Sequence, residues 1–144
     1  MDLFTALHIS TTGLSAQRIR MNTISANLAN VYTTRTPTGG PYRRKLVVME
    51  AVPIEEFRSI LRSHSESLRR VRVDEIVEDT TSFRQIYSPG HPHADKAGYL
   101  SMPNVNVLTE MADMLIARRS YEANVTAIGA TKAMALKALE IGRQ

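Results

Sequence analysis

Two apolar stripes, one at each end of the chain, limit what it can fold into. Leu3, Leu7, Leu14, Met21, Ile24, Leu28 and Val31 recur at alternating steps of three and four, with Ser10 and Gln17 filling the gaps in that register. Val107, Met111, Met114, Tyr121, Val125, Ile128, Ala135 and Leu139 repeat the pattern, interrupted by Arg118 and Lys132. A period averaging about 3.5 residues marks helices that bury a narrow seam against other helices. At about 1.5 Å per residue, helices over 3–31 and 107–140 would be about 43 Å and about 50 Å long. A compact chain of this size is only about 37 Å across. The expected fold is therefore mainly α and elongated, with long N- and C-terminal helices pairing in a coiled-coil-like arrangement around a small β-rich insert. The stripes are the expected contact surfaces, between the termini and between molecules.

The organisation reads as an N-terminal helix over 1–34, a middle segment over 35–102 and a C-terminal helix over 103–144. Tyr32–Pro41 contains Pro37, Gly39, Gly40 and Pro41 and ends any helix there. Leu46-Val47-Val48-Met49 reads as a strand, and Val71-Arg72-Val73-Asp74 as a half-buried one. Ile54, Phe57, Ile60 and Leu61 fit either a helical turn or a strand. Ser88–Gly98 reads as an ordered loop. The C-terminal helix opens after Pro103, with Asn104 or Asn106 as cap, Glu110 and Asp113 near its positive end, Lys137 and Arg143 near its negative end and Gly142 as a stop. Gly13 and Gly129 could permit close approach of helices.

Residues 1–31 carry only three charged residues, Asp2, Arg18 and Arg20. The face opposite the stripe is built from Thr5, Thr11, Thr12, Ser15, Asn22, Thr23, Ser25, Asn27 and Asn30. A helix displayed to water normally carries Glu and Lys there. A neutral polar face suits a helix surrounded by protein, where hydroxyls and amides find partners without burying charge.

Composition excludes several chemistries. Cysteine is absent, which removes disulfides, thiolate metal sites and cysteine nucleophiles. Aromatics are 6% and tryptophan is absent, so a sugar-binding aromatic platform is not expected. The net charge of +4 permits an acidic partner without demanding nucleic acid. The start, Met1-Asp2-Leu3-Phe4, lacks the basic and apolar regions of a cleaved export signal. No stretch approaches the length of a membrane span. A cytoplasmic location, or export by a route without a cleaved signal, is the expectation.

Three clusters could carry chemistry. His91-Pro92-His93 with Asp95 offers two imidazoles and a carboxylate to a metal, but no fourth ligand or general base accompanies them. Arg43-Arg44-Lys45, with Arg35, Arg69, Arg70 and Arg72, could contact phosphates; without interleaved aromatics it reads as a solvated or partner-facing patch. Arg118, Arg119 and Glu122 fit surface ion pairs. No motif assembles Ser, His and Asp into a nucleophilic site. A helical-hairpin adaptor or nucleic-acid-binding module is the alternative left open by these residues, with a small metal-dependent enzyme behind it.

Ser10-Thr11-Thr12-Gly13-Leu14-Ser15-Ala16-Gln17 and Met21-Asn22-Thr23-Ile24-Ser25-Ala26-Asn27-Leu28-Ala29-Asn30-Val31 resemble the N-terminal signature of bacterial flagellar rod and hook proteins. Asn104-Val105-Asn106-Val107, Glu110-Met111 and Arg119-Ser120-Tyr121-Glu122-Ala123-Asn124 resemble the matching C-terminal signature. Gly40-Pro41-Tyr42-Arg43-Arg44 and Tyr87–Asp95 are similar to the proximal-rod members of that family, as is the short length. The resemblance spans nearly the whole chain and is weakest over 51–70. It implies a non-enzymatic structural subunit without cofactor or metal, whose terminal helices form an inner axial domain and whose middle faces outward. It implies helical polymerisation with the other rod subunits FlgB, FlgF and FlgG and the rod-base adaptor FliE. It also implies passage through the flagellar type III export apparatus into the periplasm, and a basal-body location in which Arg43 and Arg44 become candidates for contacts with neighbours or a surrounding ring. Neither nucleic acid nor a membrane span is implied.

Overall fold

The computed structural model describes residues 3–54 and 68–142. Helix α1 spans Leu3–Ala29 and helix α2 spans Val107–Ile141. Between them lie strands β1 (Lys45–Pro53), β2 (Arg69–Glu78), β3 (Arg84–Tyr87) and β4 (Tyr99–Met102). The undecided residues Phe57, Ile60 and Leu61 lie outside the described part of the chain, as does Arg143. Among the described residues, no helix is long and apolar enough to cross a membrane.

Strand β1 takes in the apolar run Leu46–Met49. In β2 the β-branched residues Val71, Val73 and Val77 are half-buried while Arg72, Asp74 and Glu78 are exposed, the alternation of a strand with one covered face. These two strands form one sheet. The Ile54 N–H donates to the Leu68 carbonyl at 2.9 Å and the Asp79 N–H to the Arg44 carbonyl at 2.8 Å, so the ladder is antiparallel. The sequence reading did not anticipate β3 and β4, each four residues long. They pair antiparallel in the register Ile86↔Leu100 and Tyr87↔Tyr99. Leu100 is buried, and the Tyr87 and Tyr99 rings meet edge to face at 5.4 Å. Ser88–Gly98 is the loop between them, as expected. Asp95 organises it by accepting from the Ala97 and Tyr99 N–H groups at 2.8 Å each. Gly98 has φ +84°, and a Cβ there would lie 2.9 Å from the Tyr87 ring, so only glycine fits without displacement.

At the start of α2, the Asn106 side chain accepts from the Leu108 N–H at 3.0 Å and the Thr109 N–H at 3.3 Å, which makes Asn106 the cap. Asn104, the other candidate, is used elsewhere. The Gly142 N–H reaches the Ala138 carbonyl at 3.1 Å as the helix ends.

The chain divides into two compact units. The first contains Met1–Ile19, Val48–Glu75 and Ala117–Gln144. In it Gly13 packs against Asn124: a Cβ added at Gly13 would lie 3.1 Å from the Asn124 side chain. Gly129 has open space beside it, so it is not a point of close approach. The second unit contains Arg20–Val47 and Ile76–Ile116. Here α1 and α2 run antiparallel, with Arg20 paired to Asp113 and Asn27 to Glu110.

The interior of the described chain is polar and small. Its buried apolar residues are Ala16, Ile24, Leu100 and Ala117, whereas Thr5, Thr23, Asn27, Glu110 and Thr131 are also buried. On α2 the covered row runs through Val107, Glu110, Met114, Ala117, Tyr121, Asn124, Ile128, Thr131 and Ala135. Five of these nine share the expected apolar register. At the alternate positions the covered residues are Glu110, Ala117, Asn124 and Thr131, one step before Met111, Arg118, Val125 and Lys132, all of which are exposed. On α1 the uncharged face contributes Thr5, Thr12, Thr23 and Asn27 to the covered side.

Candidate functional site: a buried polar cluster

The structure places the expected contact residues at differing depths. Ile24 is buried; Leu3, Leu7, Leu14, Met21, Leu28, Val31, Val107, Met114, Tyr121 and Ile128 are half-buried; Met111, Val125 and Leu139 are exposed. The best-organised group of functional side chains lies elsewhere, in the second unit. It gathers Asn27 from the end of α1, Tyr42, Arg43 and Arg44 from the segment leading into β1, Asp79 and Thr81 after β2, Asn104 before α2, and Glu110 and Asp113 from its first turns.

Asn27 and Glu110 are the largest side chains with almost no exposure, at 1% each. The Asn27 amide donates to the Lys45 carbonyl at 2.9 Å and to Glu110 Oε2 at 3.0 Å. Its Oδ1 accepts from the Lys45 N–H at 2.9 Å and the Tyr42 hydroxyl at 3.0 Å. All four of its hydrogen-bonding positions are thereby used. Toward Lys45 the amide behaves as a neighbouring strand would, engaging both the N–H and the C=O of one residue.

Glu110 Oε1 lies 2.6 Å from Arg44 Nε and 2.6 Å from Arg44 Nη2. The same guanidinium reaches Asp79 at 3.7 Å and Asp113 at 3.6 Å, and Arg20 donates to Asp113 at 3.0 Å. The Arg44 N–H donates to Asn104 Oδ1 at 2.8 Å. The Asn104 amide donates in turn to the Asp79 carbonyl at 3.2 Å and to Thr81 Oγ1 at 2.9 Å. Arg43 donates to the Asp79 carbonyl at 2.9 Å and stacks over Phe83 with its Cζ 4.4 Å from the ring centroid. The expected solvated or partner-facing basic patch is therefore corrected at Arg43 and Arg44. Both guanidiniums are spent inside the chain, drawn in by the three carboxylates and by Phe83; Lys45 alone of the three is exposed.

Electrostatics follow from this packing. Burial pushes the Tyr42 phenol above its ordinary value, and the carboxylates of Glu110 and Glu78 push in the same direction. The N–H and hydroxyl of Thr81 hold the Asp79 carboxyl below its usual range, aided by Arg44. Tyr42 is thus held protonated and Asp79 ionised, and each already has its hydrogen-bond partner. Tyr42 donates to Asn27 and Asp79 accepts from the Thr81 N–H, so both position the segments they join.

The His91 and His93 rings meet edge to face at 5.3 Å. The His93 N–H donates to His91 Nδ1 at 3.1 Å, and His93 Nδ1 lies 2.9 Å from Thr34 Oγ1. With Asp95 committed to backbone N–H groups, these three residues do not converge. Among the described residues no group of three or more His, Asp or Glu is placed to hold a metal ion. Arg118 pairs with Glu122 at 2.9 Å, as expected of a surface pair.

Reading by hydrophobicity missed Tyr42, Asp79 and the roles of Asn104 and Glu110, because polar side chains carry no stripe; Asn27 belongs to the uncharged face expected to find partners within protein, and it does. One signal was available: Glu110 stands one residue before Met111, in step with the shared register positions Val107 and Met114.

Residues 7–35 match the family described as flagella basal body rod protein, and residues 96–141 match the C-terminal family of the flagellar basal body rod FlgEFG proteins. The flagellar basal-body rod protein FlgC of Bacillus subtilis is 45% identical, over 99% of this chain and 100% of its own length. That of Borreliella burgdorferi is 42% identical over 98% of both chains. That of Salmonella typhimurium is 36% identical over 99% of this chain and all of its own. With most of α1 and all of α2 inside the rod-protein matches and nearly the whole length shared with these relatives, the chain belongs to the FlgC family of flagellar basal-body rod proteins, structural subunits of the basal-body rod.

Proposed function

We propose that the chain is a proximal-rod subunit that polymerises through its terminal helices into the helical shaft transmitting motor torque. In this reading the helices form an inner, coiled-coil-like axial domain, and residues 35–102 face outward. The neighbours are FlgB, FlgF, FlgG and the adaptor FliE, with basal-body rings outside. The subunit arrives in the periplasm through the flagellar type III apparatus without a cleaved signal, and it performs no catalysis.

The observation that carries this reading is the exposed apolar row on α2. Met111, Val125 and Leu139 stay uncovered although they lie on the helix's own stripe. Burying such side chains against neighbouring copies is favourable by about 1.5–3 kcal/mol each. Contacts that repeat without closing generate a helical polymer rather than a ring.

Val125→Asp tests it. Because Val125 is exposed, the isolated variant should keep the helical circular-dichroism signal and melting temperature of the parent, yet fail to enter basal bodies and abolish swimming. Leu14→Asp, at a half-buried position, should give the same assembly defect. Normal motility with Val125→Asp would remove the basis for the proposal.

A further inference from the structure

In the second unit, α2 turns Val107, Glu110 and Met114 inward and leaves a second, continuous apolar row outward. Glu110 is 1% exposed, whereas Leu108 is 79% exposed and Leu115 60%, with Met111 and Ile116 also exposed. Leu108, Met111 and Leu115 lie at steps of three and four, so they form one continuous row on the helix. Turning α2 about its axis by about 100°, one residue's worth of helix, would exchange Val107, Glu110 and Met114 for Leu108, Met111 and Leu115. Hydrophobic burial alone favours that exchange, because it replaces a carboxylate by Met111. The observed setting buries a carboxylate instead, and only specific partners make that tolerable.

Those partners come from two separate segments, α1 and the stretch leading into β1. Asn27 of α1 donates to one oxygen of Glu110, and Arg44 grips the other at 2.6 Å. Arg44 is held in turn by Asn104, through its own N–H, and by Asp79. One helical turn further on, Arg20 holds Asp113. A rotation of α2 would carry Glu110 away from both Asn27 and Arg44, leaving the buried Asn27 amide one partner short and the guanidinium with only its longer contact to Asp79 outside α2.

We infer that the Asn27–Arg44–Glu110 cluster is a rotational lock on α2: it sets the helix orientation and so keeps Leu108, Met111 and Leu115 at the surface. The lock is a property of the single chain and does not depend on the rod reading. Where that reading holds, the lock is also what delivers an apolar face to a neighbour instead of letting the chain cover it.

The test uses the full chain with Arg44→Met and Glu110→Leu together, leaving Asn27 bonded to Lys45. Replacing a buried ion pair by apolar residues of similar volume commonly leaves a fold intact. Because the protein has no cysteine, a single cysteine placed at Leu108 or Leu115 reports local burial through its rate of alkylation by iodoacetamide. In the parent background both positions should react nearly as fast as in the urea-unfolded chain. In the double variant, with helical circular dichroism unchanged, both should slow by at least about tenfold as the row turns inward. Unchanged rates in a folded double variant would overturn the lock, since the orientation would then come from elsewhere. Loss of the helical signal would overturn it as well, because the cluster would be a requirement for folding rather than a choice between two settings. Neither outcome depends on assembly, so each is separable from the Val125→Asp result.

Discussion

The side chains that hold the second unit together are expensive to strip singly and cheap to replace as a set. Glu110→Ala leaves Arg44 facing Asp79 and Asp113 at longer range and opens a hole beside Asn27. Breaking one side of a buried pair costs about 3–5 kcal/mol. Urea titration of Glu110→Ala should show a loss of that order, against little net change for Arg44→Met with Glu110→Leu. Acid should act through Asp79. Its carboxyl is held below the unfolded value by Thr81 and Arg44, so the folded state favours the ionised form. That stability is complete above the unfolded pKa of about 3.9 and is lost as pH falls through the folded value. The midpoint of urea unfolding should therefore decline progressively below about pH 4. Asp79→Asn should flatten that decline, and an unaltered acid profile in this variant would assign the loss to other carboxylates.

At the scale of elements, helices and two strands were legible because their signals are periodic and local. Leu46–Met49 and Val71–Asp74 announced β1 and β2, and of the two cap candidates, Asn104 and Asn106, it is Asn106 that caps α2. Strands β3 and β4 were not legible: they are four residues each, set around a loop rich in Pro and Gly, and their pairing places buried Leu100 opposite Ile86 and the Tyr87 ring against Tyr99. The covered row of α2 was half legible. Hydrophobicity finds Val107, Met114, Tyr121, Ile128 and Ala135, but at the alternate positions it selects Met111 and Val125 over Glu110 and Asn124. Size and hydrogen bonding decide those places. Glycines separate the two cases. Gly129 has open space, so Gly129→Ala should raise stability by about 0.5–1 kcal/mol through helix propensity. At Gly13, where even a methyl would lie 3.1 Å from the Asn124 side chain, Gly13→Leu should destabilise by about 1–3 kcal/mol through overpacking. Thermal melts of the two variants should move in opposite directions.

At the scale of the molecule, among the described residues of the second unit, the connections between segments far apart in sequence run through a few polar side chains rather than a large apolar core. Asn27 binds Lys45, Asn104 binds Arg44 and Asp79, and Glu110 binds Asn27 and Arg44. Residues 35–102 produced alone would lose Asn27, Asn104 and Glu110 together. That fragment should give no cooperative urea transition, while the full chain should; a cooperative transition in the fragment would make the helix contacts dispensable. The Asn27–Arg44–Glu110 cluster has a consequence in the currency of descent. Asn27, Arg44 and Glu110 cannot drift independently, because each single replacement passes through an unpaired buried group. They should be inherited as a block and change, if at all, in compensated steps. Met111, Val125 and Leu139, facing outward, are free to track whatever surface they meet.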